Sequence, residues 1–399
     1  MKIYKNAVDL KKQFLSLIQS QFADLKAQEM ESKVADNLLS PFVIELPQEA
    51  LTQAQFFAKE IFKLRNSPNY QQELRAEFIT HGLREPKNYS IMMSYDFHWT
   101  GTQLKLIEVN TNAAFIALGD LMYQAHEISQ PVADFSIKEI SQNILQEVAL
   151  DQQMDPAQVL SSSKSFNVAI VDDHPEQQRL FIEFLVFNEL FKSWGWNSKI
   201  CDIRESLQNL NFIYNRNTDF FLESPEVKNL KDYWLEQSQT LSPNPWEYHL
   251  LADKERMIQW WDPEFQAKVN MSEELKKVIE AFVPVSRDVK KSDPQVIWAD
   301  RKNLFFKPKR AFGSKQSYKG HSLSKKVFDE ILAGDFIAQE YVNAPEKIFE
   351  TPEGPQAFKY DLRFYAYQDR IQSVVARLYQ GQVTNLRTPL GGFSPVRFI

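Results

Sequence analysis

The sequence predicts a mixed α/β (α+β) protein with a small parallel sheet and a helical N-terminal region. Three observations carry this. Apolar residues recur at helical spacing near the start of the chain. A strand–helix–strand texture occupies 167–216. From about 290 the chain alternates strand, loop and helix to its end.

Residues 9–30 place Leu10, Phe14, Leu17, Ile18, Phe22 and Leu25 on one helical face. Residues 48–65 repeat the pattern with Leu51, Phe56, Ile61 and Leu64. Residues 90–110 change to strand texture about the turn Thr100-Gly101-Thr102. A helix is expected over 137–150, and the polar stretch DQQMDPAQVLSSSKS, 151–165, reads as a linker. NVAIVDD, 167–173, is a short strand ending in acids. A helix over 175–195 follows, opened by Pro175 in its first turn and stopped by Gly195. SKICDI and LNFIYNR add two strands. Functional residues of such a sheet gather at the strands' carboxyl ends. VIWA, LFFKPK, DFIAQEYV, FKYDLRFYAY and IQSVVARLY supply the later strands, with a helix over 322–333.

A length of 399 residues allows two or three domains and a large core. With 43% hydrophobic and 25% charged residues, the chain reads as an ordinary soluble globular protein. Its net charge of -6 argues against a general nucleic-acid binder. Cys201 is the one cysteine, so no intramolecular disulfide forms; it reads as a packed strand residue. The start, MKIYKNAVDLKK, lacks the apolar core of a signal peptide, and no run approaches a membrane span. A cytoplasmic location is expected. The six histidines show no HxH or HExxH spacing, so no zinc site is expected.

Four clusters carry possible chemistry. In LIEVNTNAAF, Glu108 and Asn110 stand two apart, on one face of a strand. If the hairpin loop is Gly101-Thr102-Gln103, Asp96 lies opposite Glu108 on that face. Two carboxylates and an amide oxygen suit Mg²⁺; a solvated hairpin face fits the same pattern. In FFKPKRAFGSKQSYKG, Lys307 and Lys309 share a face ahead of a loop rich in Lys and Ser. That suits a phosphate chain, although GxxxxGK[ST] spacing is absent and a solvated basic hairpin is the alternative. FIAQEYVNAPE runs from an apolar strand into Gln339, Glu340, Tyr341 and Val342, whose backbone suits an adenine edge or simply ends a strand. YDLRFYAY sets Asp361 beside Arg363 on one face, and SVVARLY places Arg377 in an apolar run. Structural ion pairing is the alternative to a catalytic role there. TNLRTPLGGF then adds Asn385 and Arg387.

The order of these clusters resembles the ATP-grasp superfamily: lysine strand, lid loop, hinge strand, D-x-R strand, arginine strand. In that fold a hairpin reading Asp…Glu-x-Asn comes next. Here the chain stops at Ile399, and such a hairpin stands at 90–115, so the sequence resembles a circularly permuted ATP-grasp protein. YDFHWTGTQLKLIEVNTN is similar to a run in glutathionylspermidine synthase-like proteins. LKLIEVNTNAAF, HPEQQRLFIEFLV, FIYNRNTDF, LLADKERM and LFFKPKR resemble, in the same order, segments of eukaryotic-type glutathione synthetases. The resemblance covers roughly 90–399.

The resemblance implies an ATP- and Mg²⁺-dependent carboxylate–amine ligase acting on an amino acid or small peptide through an acyl phosphate. Glu108, Asn110 and Asp96 would hold Mg²⁺. Lys254, Lys307 and Lys309 would contact phosphates, and Gln339 to Val342 would line the adenine. Arg363 and Arg377 would neutralise charge developing in the reaction. Arg216, Gln178, Arg179 and Asn385 would contact substrate. The expected organisation is a helical region over 1–88, read from its apolar spacing, and then, as the resemblance implies, a displaced Mg-binding hairpin over 89–130, a helix and linker over 131–165, a small α/β substrate domain over 166–245, and an ATP-grasp core over 246–399 with a lid at about 302–334. The loop of that lid, from Arg310 to Tyr318, has one glycine, Gly313, and Ala311 stands where those synthetases have an acidic residue. The expected partner is a small molecule, with neither nucleic acid nor membrane. Two rival expectations share the fold: a non-catalytic scaffold serving a partner protein, and a phosphotransferase.

Overall fold

The structure is a computed structural model and describes residues 6–26, 30–162, 166–236, 239–310 and 317–399. It is a mixed α/β protein, as its sequence predicts. In chain order the strands of the first half are β1 (Ile44–Leu46), β2 (Met93–Trp99), β3 (Leu104–Asn110), β4 (Asn167–Asp172), β5 (Asn197–Asp202), β6 (Phe212–Asn215) and β7 (Thr240–Ser242). Those of the second half are β8 (Ser286–Asp288), β9 (Leu304–Pro308), β10 (Tyr318–Lys319), β11 (Phe336–Glu340), β12 (Glu346–Thr351), β13 (Gly354–Tyr367), β14 (Arg370–Tyr379), β15 (Gly392–Ser394) and β16 (Val396–Phe398).

The largest sheet is antiparallel and runs β15-β14-β13-β2-β3, with β12 on the early part of β13. Distant sequence thus meets: Asp96 of β2 pairs with Arg363 of β13. The β2–β3 hairpin does bring Asp96 opposite Glu108, but by another route than the expected loop. Trp99 pairs with Leu104, so the turn holds four residues, with Gly101 at φ +102° and the Thr100 hydroxyl donating to the Gln103 carbonyl. The register shifts between Asp96 and Phe97, leaving Ile107 as an extra residue and restoring the Asp96–Glu108 pair.

Every residue of β2 is buried. One face packs on the helix Gln48–Arg65, where Phe57 meets Tyr95 and Phe97 edge-on. That helix has the expected bounds, with Ala50, Ala54, Phe57, Ala58, Ile61 and Leu64 turned inward. The N-terminal region also reaches the other end of the chain, since β1 pairs in parallel with β16.

A second antiparallel sheet runs β10-β9-β11-β8. The third is parallel, β5-β4-β6-β7, and Cys201 is buried in it as expected. Three local expectations give way. VIWA is helical, in Pro294–Asp300, because Asp293 accepts from the Gln295 N–H and starts a turn ahead of it. The expected linker contains a helix, Pro156–Ser162, led by Asp155. The helix expected from Pro175 begins at Phe181; a 3₁₀ turn, Pro175–Gln177, and a loop precede it. Ala311 and Gly313 of the lid lie outside the described residues.

Candidate functional site

A cavity of about 360 Å³ lies between the two antiparallel sheets. Its walls include His98, Ile107, Glu108 and Asn110 from the hairpin, Phe305 and Lys307 from β9, and Gln339 to Val342 at the end of β11. Lys359, Asp361 and Arg363 of β13, Arg377 and Tyr379 of β14, Lys254, Arg179 and the 382–386 segment also line it.

Lys307 is buried and donates to the Ile107 carbonyl at 2.7 Å and to Gln339 Oε1 at 2.8 Å. The first acceptor exists because of the bulge: Ile107 is the residue left out of the strand register. Lys307 makes no ion pair among the described residues. Burial pushes its pKa down to about 8, with nearby Glu108 opposing and Lys254 assisting. Gln339 is held in turn by its Nε2, which donates to Ser286 Oγ at 3.2 Å.

Glu108 likewise has no ion pair among the described residues. Asn110 Nδ2 lies 3.4 Å from Glu108 Oε1 and 3.1 Å from Asp96 Oδ2, so the amide nitrogen ties the two carboxylates together. The three groups expected to hold Mg²⁺ do come together, yet Asp96 serves differently. It is fully buried and is not part of the cavity wall. Arg363 grips both its oxygens, at 2.9 and 2.7 Å, and Arg377 Nη2 reaches Oδ2 at 2.8 Å. Burial alone would raise this carboxyl, but the two arginines outweigh it and hold the pKa at about 2. Sequence alternation could place Asp96 on the right face but could not foresee two guanidiniums consuming it. Arg377 also binds Asp361 at 2.7 Å, so both arginines reach the cavity already neutralised.

Lys309 also stands apart from its expected place. It lies outside the cavity wall, 2.6 Å from Glu255, 2.8 Å from Asp288 and 3.5 Å from Asp335. Although burial opposes it, these carboxylates raise its pKa and leave it no charge to offer a phosphate.

The expected substrate residues divide. Arg179 and Asn385 line the cavity; Arg179 donates to the Leu386 carbonyl, and Asn385 Oδ1 caps the turn at Arg387 and Thr388. Gln178 and Arg216 lie elsewhere. Gln178 donates to the Asp173 carbonyl at 2.7 Å. Arg216 is buried against Tyr214 and Phe184 and donates to the side-chain oxygen of Asn112.

Three contributors escape a sequence reading. Glu183 is buried and takes the Phe115 N–H at 2.7 Å on each oxygen and the Ala117 N–H at 3.3 Å. It thereby fixes the segment leaving Asn110. Lys359 lines the cavity two residues before Asp361 on β13. His98 lines it two residues after Asp96 on β2, and that spacing was the available signal.

No protein-family model matches the sequence, and no curated protein matches it. Solved structures do match. One from Methylobacillus flagellatus KT, provisionally named gamma-glutamylcysteine synthetase, aligns with TM-score 0.41 and 9% identity over 84% of this chain and 85% of its own. The D-cycloserine synthetase DcsG aligns with TM-score 0.32 and 13% identity over 56% of this chain and 92% of its own. The ATP-grasp ligase PsnB, complexed with precursor peptide PsnA2 and AMPPNP, aligns with TM-score 0.25 and 10% identity over 57% and 87%. No helix among the described residues is long and apolar enough to cross a membrane.

Proposed function

We propose that the chain is an ATP- and Mg²⁺-dependent ligase of the ATP-grasp type, joining a carboxylate to an amine on an amino acid or small peptide. One observation carries the reading. A buried lysine, Lys307, and a carboxylate, Glu108, neither of them in an ion pair among the described residues, face one cavity between two antiparallel sheets. The pairing of β2 with β13, residues 267 apart in sequence at Arg363 and Asp96, supports the permuted arrangement.

The residues suit the implied ligands. An ammonium whose partners are a carbonyl and an amide oxygen keeps its charge for an incoming anion, and a polyphosphate would relieve its depressed pKa. Glu108 and Asn110 offer the hard oxygens that Mg²⁺ selects. Lys254 joins Lys307 on the phosphate side, while Phe305, Ile107 and the Gln339–Val342 segment form the less polar wall for a base. Arg179, Lys359 and Asn385 stand at the remaining side, where a carboxylate substrate would meet positive charge. When bound, Mg-ATP would pass its γ-phosphoryl group to the substrate carboxylate, and the amine would then displace phosphate. The chain's part is to hold charge and exclude water around that exchange.

The test is release of ADP and phosphate from Mg-ATP in mixtures of amino acids and small peptides. Release should require both an acid and an amine, and Glu108→Gln should abolish it at an unchanged melting temperature. ATP binding without ADP release in any mixture would overturn catalysis and leave the scaffold reading. ADP release with phosphate retained on the product would indicate a phosphotransferase.

A further inference from the structure

His98 sits on β2 with its Nδ1 3.1 Å from the Val342 carbonyl. A carbonyl oxygen only accepts, so Nδ1 carries the proton. The ring is 9% exposed, and burial pushes its pKa down to about 4. Lys307 and Arg377 push the same way, while Asp361 and the Val342 carbonyl oppose. At neutral pH the imidazole therefore holds one proton, on Nδ1, and Nε2 is a bare acceptor. Nε2 has no partner among the described residues, and the ring lines the cavity beside Ile107, Phe305, Tyr341 and Val342.

The contact also changes what the backbone offers. The Val342 carbonyl takes the His98 proton on one of its two lone pairs. Nε2 adds a side-chain acceptor to this wall. The Val342 N–H has no partner among the described residues, so the wall offers this donor beside the Nε2 acceptor. Adenine presents the complement, with its exocyclic amine as donor beside the N1 acceptor. Guanine reverses both, with O6 accepting and N1–H donating.

We infer that His98 reads the nucleotide base, its Nε2 accepting a hydrogen bond from the exocyclic amine of adenine. This rests on the nucleotide reading above and adds the residue that would set base preference.

The test compares ATP, GTP and purine riboside triphosphate, which lacks the amine, by calorimetry with the full chain and Mg²⁺. Wild type should bind ATP about tenfold more tightly than purine riboside triphosphate, the scale of one buried hydrogen bond. GTP should bind more weakly still. In His98→Phe the ratio of ATP to purine riboside triphosphate affinity should fall to about one. Equal wild-type affinity for those two nucleotides, or a ratio that persists in His98→Phe, overturns the inference alone. Wild type that binds none of the three overturns the nucleotide reading and this inference with it. Should His98→Phe fail to fold, nitrogen-15 NMR of wild type decides: the Nε2 resonance should move with ATP and stay still with purine riboside triphosphate. A resonance that responds equally to both sinks the assignment.

Discussion

The two ends of the Lys307–Lys309 segment meet opposite surroundings. Lys307 has two neutral acceptors and a depressed pKa; Lys309 has three carboxylates and a raised one. Alternation along the strand gives both side chains the same general direction. What differs is supplied from far away: Ile107, 200 residues distant, against Glu255, Asp288 and Asp335. A lysine in a K-x-K pattern is thus a ligand-binding candidate or a structural cation according to its neighbours, and stability and function separate accordingly.

The sharpest contrast to the open lysine is the closed arginine pair, and breaking it should have the largest effect. Asp96→Asn leaves Arg363 and Arg377 short of an anion, with their side chains only 10% and 14% exposed, and urea unfolding should show a loss of about 3–5 kcal/mol. A loss below about 1 kcal/mol would mean that Asp361 alone balances both arginines. The wild-type acid limb gives the same information. Asp96 has a folded pKa of about 2, below its ordinary 3.8. Its contribution is therefore present above pH 4 and is lost as pH falls toward 2, by about 2 kcal/mol.

Next comes Lys309→Met, which leaves buried Asp288 with only Lys291 at 3.8 Å as a cationic partner and should cost about 3 kcal/mol. ATP affinity, by calorimetry, should stay within about threefold of wild type, since this lysine does not reach the cavity. A tenfold loss of affinity with the fold intact would erase the distinction between the two lysines.

Lys307→Met should do the reverse. Removing a desolvated charge should stabilise the free protein by about 2 kcal/mol at pH 7 while ATP affinity falls tenfold or more. Lys307 has a folded pKa near 8 against 10.5 ordinarily, so the unfolded chain binds the extra proton between those values. Stability contributed at this site rises as pH goes from 8 to 10.5. At Lys309, whose pKa is raised, the contribution is complete below 10.5 and is lost as pH climbs through the higher folded value. Thermal melts of the two variants against wild type across pH 7–10.5 separate the two: the Lys307 contribution should rise with pH and the Lys309 contribution should stay flat, and a rise at both sites would refute the contrast.

Glu108→Gln should have the smallest effect on the free protein, within about 1 kcal/mol, because Glu108 anchors no ion pair among the described residues. Its signature is in the ligand: the gain in melting temperature from Mg-ATP over ATP alone should disappear. A gain equal to wild type would show that the metal does not depend on this carboxylate.

Much of the fold was legible. The helix at 48–65, the hairpin, the parallel unit and the long strands through 379 carry strong periodicity, and each appears near its expected bounds. Errors fell where a short apolar run or a local cap decided. VIWA has strand-like composition, yet Asp293 starts a helix ahead of it. Pro175 suits a helix start, but the turn after it is 3₁₀, which places Arg179 in a loop at the cavity. The Asp96–Glu108 pair was foreseen from a three-residue loop; it forms through a four-residue turn and a compensating bulge.

By itself the sequence determined which side chains share a strand face, because the two-residue alternation is a property of extended backbone. That places Glu108 with Asn110, Asp361 with Arg363, and His98 with Asp96. Tertiary structure decided which of these groups keep their charge free. Asp96 became the counter-ion of two arginines from β13 and β14, Lys309 was drawn to carboxylates, and Lys307 met only neutral acceptors. Charge pairing acts over a few ångströms of space, and the partners lie up to 281 residues apart in sequence. The order of residues along one strand holds no record of which distant strand will lie beside it.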